Sequence, residues 1–110
     1  MRMLEDISQI KVGYFKVDVN ITSTEDYGEF DHETKIITIS NTISDLEKVN
    51  TFIHECFHAI LFERGITADG GFLFDKEKEE EQLVNQLTNG FIALLQDNPK
   101  IKKLISDCPF

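Results

Sequence analysis

The stretch His54-Glu55-Cys56-Phe57-His58 sets two histidines four residues apart inside a segment whose apolar residues recur with helical spacing. Residues four apart on a helix lie one above the other, about 5–6 Å apart at Cβ, so two imidazoles can converge on one metal ion at about 2.0–2.1 Å each. His54 and His58 meet this condition. Glu55 follows His54 by about 100° around the helix, which takes it off the ligand line and puts it where a general base meets a water at the metal. This spacing points to a zinc-dependent hydrolase.

The helix that carries the motif opens near Ser44, since Ser44-Asp45-Leu46-Glu47 has the form of a capping box with an acidic first turn. Leu46, Val49, Ile53, Phe57 and Ile60 recur at three- and four-residue steps, and Arg64-Gly65 supplies a basic last turn and a stop. The motif therefore lies mid-helix. Upstream, residues 10–21 mix β-branched and aromatic residues and alternate apolar with polar from Phe15 to Val19, which predicts one half-buried strand. Tyr27-Gly28-Glu29-Phe30 and Lys35-Ile36-Ile37-Thr38-Ile39-Ser40 flank Asp31-His32-Glu33-Thr34 and predict a hairpin with a loop of about four residues.

Downstream, Ile66 to Asp75 contains Gly70-Gly71 and is the most flexible stretch by composition. A second long helix is predicted from Lys76 to Gln96, with Leu83, Val84, Leu87, Phe91, Leu94 and Leu95 inward. Asp97-Asn98-Pro99 ends it, and Pro99 suits the first turn of a short final helix through Ser106.

The 110 residues, 41% of them hydrophobic, suffice for one domain with a real core, predicted over residues 1–110. A formal net charge of −9, with eleven Lys and Arg spread among twenty carboxylates, repels phosphate backbones and argues against nucleic-acid binding. The start lacks an apolar run behind a charged segment, and no uninterrupted stretch of about 18 apolar residues occurs. The expectation is a soluble, cytoplasmic protein without a membrane association. Two cysteines, Cys56 and Cys108, form no disulfide framework, and both are expected to be reduced. Cys56 lies about 200° around the helix from His54 and is expected to face the core.

A catalytic zinc normally takes three protein ligands and leaves a fourth position for water, so two histidines are not enough. The remaining histidine, His32, sits in the predicted hairpin loop and reads as solvated. A glutamate at the head of the second helix is the better candidate. Helical phase ranks Glu81 first, along the edge of the buried stripe, Glu80 second and Glu79 last. Asn85, one turn after Glu81, is placed to orient a ligand or else to remain a surface amide.

These residues together resemble the small zincins of the ImmA/IrrE type, metallopeptidase-like domains common in phages and mobile elements. The resemblance rests on the Ile-rich hairpin strand, on His54-Glu55-Cys56-Phe57-His58, and on Glu81-Gln82-Leu83-Val84-Asn85-Gln86-Leu87, which is similar to the family's Glu-x-x-Ala-Asn-x-Phe pattern. Val84 and Leu87 stand where the family more often has Ala and Phe, which leaves Glu80 as the alternative. The resemblance spans residues 27 to 96. It implies an α+β fold of zincin type, with a short antiparallel sheet packed on two long helices, and Glu81 as third ligand of a Zn2+ ion. It further implies hydrolysis of peptide bonds in a protein or peptide substrate such as a regulatory protein.

In that chemistry Glu55 takes the proton of the attacking water and passes it to the leaving amine. The hairpin edge holds the peptide by strand addition. No residue can be assigned from spacing to the oxyanion; Tyr27 and His32 are conceivable helpers, though a packed tyrosine and a solvated histidine are the plainer readings. The competing class is a catalytically inactive, metal-stabilised interaction module on the same frame.

Overall fold

The computed structural model describes residues 4–66 and 77–110. A 3-10 turn at Leu4–Asp6 precedes four strands, β1 (Gln9–Val12), β2 (Phe15–Thr22), β3 (Gly28–Asp31) and β4 (Ile36–Ser40). Three helices follow: α1 (Asp45–Glu63), α2 (Glu77–Asp97) and α3 (Pro99–Asp107). The class is α+β, as the order of sequence patterns predicts, and the arrangement is that of a small zincin-like domain. Most of the stretch from Ile66 to Asp75 and the residue Lys76 lie outside the described residues.

The single strand predicted over residues 10–21 is instead two strands joined by a two-residue turn. Gly13 takes φ +57, a conformation that costs a residue with a Cβ and costs glycine nothing. The chain folds back so that Val12 pairs with Phe15 and Gln9 with Asp18. Any Cβ at Gly13 would also strike the Glu63 carboxylate.

The strands lie in the order β1-β2-β4-β3. β3 and β4 form the predicted antiparallel hairpin, but β4 then lies parallel to β2, with Val19 beside Ile37 and Ile21 beside Ile39. The sheet is therefore mixed, not purely antiparallel as expected. Burial accounts for the order. Ile37 and Ile39 are fully buried and occupy an inner strand, whereas Gly28-Glu29-Phe30-Asp31, half acidic, takes an edge, where its exposed carboxylates stay solvated. Among the described residues no further strand pairs with that edge, which borders the candidate site and where the Phe30 N–H donates to the Glu55 carboxylate.

One face of the sheet carries the core. Val17 and Val19 from β2 and Ile37 and Ile39 from β4 are buried with Leu4, Val12 and Ala59, and Phe52 and Cys56 of α1 pack against this cluster. Cys56 thus faces the core, as its helical phase predicts. Burial holds its thiol protonated by pushing its pKa up to about 12, and both cysteines are free.

The capping box forms as read: Ser44 Oγ accepts from Glu47 N–H at 3.2 Å, and Glu47 Oε1 accepts from Ser44 N–H at 3.0 Å. At the other end Gly65, at φ +73, donates to Phe62 O and Ile66 donates to Leu61 O, the paired bonds of a Schellman stop. The buried line of α1 is Thr51, Glu55 and Ala59, not the stripe from Leu46 to Ile60, both ends of which are exposed. Phe57 turns instead to α2 and meets Phe91 edge to face. On α2 the buried line is Glu80, Val84 and Thr88. Of the six residues expected inward, Val84 is buried and Phe91 and Leu95 are half-buried, while Leu83, Leu87 and Leu94 are exposed. The reason is that α2 packs against α1 and not against the sheet, so only a narrow line of it is covered.

Gly28 fixes how closely β3 approaches α1. A Cβ there would lie 2.6 Å from Thr51 Cγ2 and 2.7 Å from the carbonyl oxygen of Thr38. The methyl can rotate, but the carbonyl belongs to the neighbouring strand. Gly28→Ala is expected to lower the free energy of urea unfolding by about 1–3 kcal/mol, the usual range for overpacking. Adding Thr51→Ser should recover only part of the loss.

Candidate functional site

On α1 the one-turn spacing brings His54 Nε2 and His58 Nε2 to 3.2 Å. α2 crosses α1 so that its first turn faces these two rings, and Glu81 spans them. Its Oε1 lies 2.7 Å from His54 Nε2 and its Oε2 3.0 Å from His58 Nε2. Glu80, one residue earlier, is buried and turns to the other side of the same imidazole, its Oε2 being 2.5 Å from His58 Nδ1. The two glutamates that sequence phase left in competition thus do different things. Glu81, about half exposed, joins both histidines; Glu80 holds one of them from behind.

Glu55 lies beneath this group and is buried against β3. Its Oε2 is 3.9 Å from His54 Nε2, farther than either contact of Glu81. Burial pushes its pKa up to about 7, helped by the carboxylates of Glu81 and Glu29 and opposed by His58. A carboxyl near neutrality can both take and give a proton at physiological pH. Burial also lowers the pKa of His54, with Glu81 pulling the other way, which favours the neutral imidazole that ligates metals.

The ligand atoms of His54, Glu55 and His58 all lie within 4.8 Å of one another, so among the described residues this group can hold a metal ion. The donors are imidazole nitrogens and carboxylate oxygens, the set expected for zinc and its neighbours rather than for calcium or magnesium.

Two cavities meet at this point. The larger, about 500 Å³, is lined by the length of β3 together with His32, Glu55, His58 and Phe62. The smaller, about 260 Å³, is lined by Tyr27, Asn50, Thr51, His54 and Asn85. Gly28, Glu55 and Glu81 border both, so one cleft runs along the outer edge of β3 with Glu55 at its middle. Asn85, exposed and one turn after Glu81, lines the smaller cavity together with His54.

The family model for the IrrE N-terminal-like domain, a family of peptidases, matches residues 8–97. The chain belongs to this family. No curated protein and no solved structure matches it. Within the IrrE N-terminal-like domain the match begins before β1 and runs to the end of α2, so it takes in the sheet edge, the H-E-x-x-H helix and the glutamates that face it. Membership in a peptidase family and a histidine-carboxylate group able to hold a metal agree on a metallopeptidase type of site. Among the described residues, no helix is long and apolar enough to cross a membrane.

Two readings change. Tyr27 is not packed: it is 56% exposed, and a hydrogen bond with Glu47 raises its pKa. His32 is not simply solvated, since it is half-buried with its ring 5.2 Å from that of Phe62. The role of Glu80 behind His58 also escaped the sequence, although one signal was there: Glu80 begins the i, i+4, i+8 line that Val84 and Thr88 continue, and a carboxylate on a buried line needs a partner.

Proposed function

We propose that this protein is a zinc-dependent peptidase in which His54, His58 and Glu81 hold the ion and Glu55 is the general base. The observation that carries this reading is that the Glu81 carboxylate reaches both imidazoles, Oε1 at 2.7 Å from His54 Nε2 and Oε2 at 3.0 Å from His58 Nε2, while the two Nε2 atoms lie 3.2 Å apart. Ligands of a tetrahedral ion at about 2.0–2.1 Å lie about 3.3 Å apart, so the donors need only part by a few tenths of an ångström to share one. Glu55 is too far from His54 to be preferred over Glu81 as the third ligand, and it is better placed to act on a water.

A zinc ion held there supplies Lewis-acid polarisation and makes water acidic enough to lose a proton near neutral pH. The chain's own residues do the rest. An extended peptide adds to the outer edge of β3 by main-chain hydrogen bonds, which lays its carbonyls along the cleft past Glu55. Glu55 takes the proton of the attacking water and returns it to the leaving nitrogen, a double duty that suits a carboxyl whose pKa is near 7. Glu80 fixes Nδ1 of His58 as the proton-bearing nitrogen and so leaves the Nε2 lone pair directed at the ion.

The test is metal analysis of protein purified without chelator, beside cleavage of denatured protein with and without zinc. Stoichiometric zinc and zinc-dependent cleavage are expected. Bound zinc without any cleavage would instead favour the metal-stabilised interaction module. The separation of the two glutamates is tested by variants. Glu81→Ala should abolish tight zinc binding, whereas Glu80→Ala should weaken it about 10–100-fold, the usual effect of losing a carboxylate behind a ligand histidine. Equal losses in a chelator competition would refute the division of roles.

A further inference from the structure

The edge strand that borders the site has a fixed arrangement of main-chain groups. In an antiparallel pair, successive residues turn their N–H and C=O alternately to the partner strand and away from it. Gly28 stands opposite Ile39 and Phe30 opposite Ile37, which sets Tyr27 opposite Ser40, and Ser40 N–H donates to Tyr27 O at 2.8 Å. Tyr27, Glu29 and Asp31 therefore turn to β4, while Gly28 and Phe30 turn their main-chain groups outward. Among the described residues no strand lies on that outer side, and the cleft passes along it.

One of these outward groups is already used. The Phe30 N–H donates to the carboxylate of Glu55, which is buried there beside His54 and His58. Gly28 N–H, Gly28 O and Phe30 O make up the rest of the outward set. Side chains leave them accessible, since Gly28 has none and Phe30 turns its ring to Phe62, 6.1 Å away between centroids. An extended peptide laid antiparallel on this edge, the more stable of the two pairings, meets the two outward residues differently. The peptide residue opposite Gly28 forms both bonds of a ladder pair. The one opposite Phe30 donates its N–H to Phe30 O, but its carbonyl finds the Glu55 side chain where a main-chain donor would otherwise stand. The carbonyls on either side of it point away from β3 by the same alternation. It is therefore the one carbonyl in the paired stretch that is turned to the site and is not held by the ladder.

We propose that the Phe30 N–H is reserved for Glu55, so that a peptide on β3 is held by Gly28 N–H, Gly28 O and Phe30 O, with the residue before the cleaved bond opposite Phe30 and the second residue after it opposite Gly28. Phe30 is then a positioning residue, acting through Glu55, and the gap it leaves in the ladder selects the carbonyl under attack. The proposal rests on the peptidase reading.

The probe is oxidised insulin B chain with zinc-loaded protein, the cleaved bond being located by mass spectrometry. Phe30→Pro removes the N–H and keeps the carbonyl, at an edge position where proline breaks no ladder bond; Phe30→Ala removes the ring and keeps the N–H. Relative to Phe30→Ala, Phe30→Pro should lose about 100-fold in kcat, the effect of displacing a reacting group by about 1 Å, with KM unchanged. A rise in KM without a fall in kcat would show that the N–H serves the substrate and would overturn the proposal, as would equal kcat in the two variants. The register is read separately on the wild type, with a short peptide spanning the cleaved bond and N-methylated one residue at a time, and this holds even if Phe30→Pro does not fold. Methylation of the residue before the bond and of the second residue after it should each raise KM about 2–10-fold, the worth of one hydrogen bond. Methylation of the second residue before the bond or the third after it should leave KM unchanged, and the opposite alternation would overturn the register. If the wild type cleaves nothing, its affinity for fluorescein-labelled B chain is compared with that of Glu55→Ala, which releases the Phe30 N–H. Binding about 2–10-fold tighter in the variant would uphold the pairing on β3 while the peptidase reading fails; equal or weaker binding, or none in either protein, would overturn both.

Discussion

Glu55→Gln is expected to reduce peptide hydrolysis by a factor of about 10²–10⁴, the contribution of a positioned general base, without changing the zinc content. The amide has nearly the shape of the carboxyl and can still occupy the buried position against β3, but it cannot accept the water proton. Because Glu55 lies 3.9 Å from His54 Nε2 while Glu81 lies at 2.7 Å, the substitution spares the ligands. Undiminished turnover by the variant would exclude Glu55 as the base; loss of zinc along with activity would make it a ligand.

The same variant has a stability signature. In the metal-free protein burial raises the Glu55 pKa from 4.5 to about 7. Between these values the folded chain keeps a proton that the unfolded chain releases, so stability falls as pH rises through that window and levels off above it. The fall is about 3 kcal/mol at roughly 1.4 kcal/mol per pKa unit. Urea unfolding of chelator-treated protein from pH 4 to 8 should show this decline in the wild type and a flatter profile in Glu55→Gln, which carries no charge at that position.

His58→Ala is expected to be the most damaging single change at the site. It removes one of the proposed metal ligands, and it also takes from Glu80, only 7% exposed, the hydrogen bond to His58 Nδ1. Removing the donor of a buried hydrogen bond to a charged group costs about 1–3 kcal/mol, a sizeable share of the about 5–15 kcal/mol that a domain has in all. The second loss comes through zinc. A ligand present at about a thousand times its Kd stabilises the folded state by about 4 kcal/mol, and for a domain of this size that is more than about 10 °C in Tm. Wild-type protein should therefore gain that increment on adding zinc, and His58→Ala should gain none. His54→Ala should lose the zinc response equally but keep more of its metal-free stability, because among the described residues the buried carboxylate nearest His54 Nε2, Glu55, lies at 3.9 Å, beyond hydrogen-bond distance. Adding Glu80→Gln to His58→Ala should restore part of the lost stability by removing the buried charge. Calorimetry with and without zinc separates the two effects, and equal metal-free stability of the two histidine variants would contradict the account of Glu80.

What could be read from the chain and what could not divide along physical lines. The capping box at Ser44, the glycine stop at Gly65 and the four-residue spacing of His54 and His58 are local, and each appears where the sequence puts it. The β3–β4 hairpin is local as well. The turn at Gly13-Tyr14 is not legible because apolar residues on both sides of it hide a change of direction that only a positive φ reveals. The parallel pairing of β2 with β4 is decided between distant segments, by burial of Ile37 and Ile39 at the sheet centre. Helix faces are decided in the same way: Leu83, Leu87 and Leu94 have the period of a core stripe, but nothing among the described residues covers them fully. Which nitrogens Glu80 and Glu81 each meet depends on the crossing of α2 over α1, which periodicity along one helix does not contain. His32 could be placed in its loop from sequence, but its position against Phe62 depends on where α1 ends.

The central claim is that His54, His58 and Glu81 share one ion. It is tested most directly by anomalous diffraction at the zinc edge from crystals of the zinc-loaded protein. A single strong peak within coordinating distance of His54 Nε2, His58 Nε2 and a Glu81 oxygen, with Glu80 still on His58 Nδ1, is the predicted result. A peak coordinated by Glu80 in place of Glu81, or no peak between the two histidines, would contradict it.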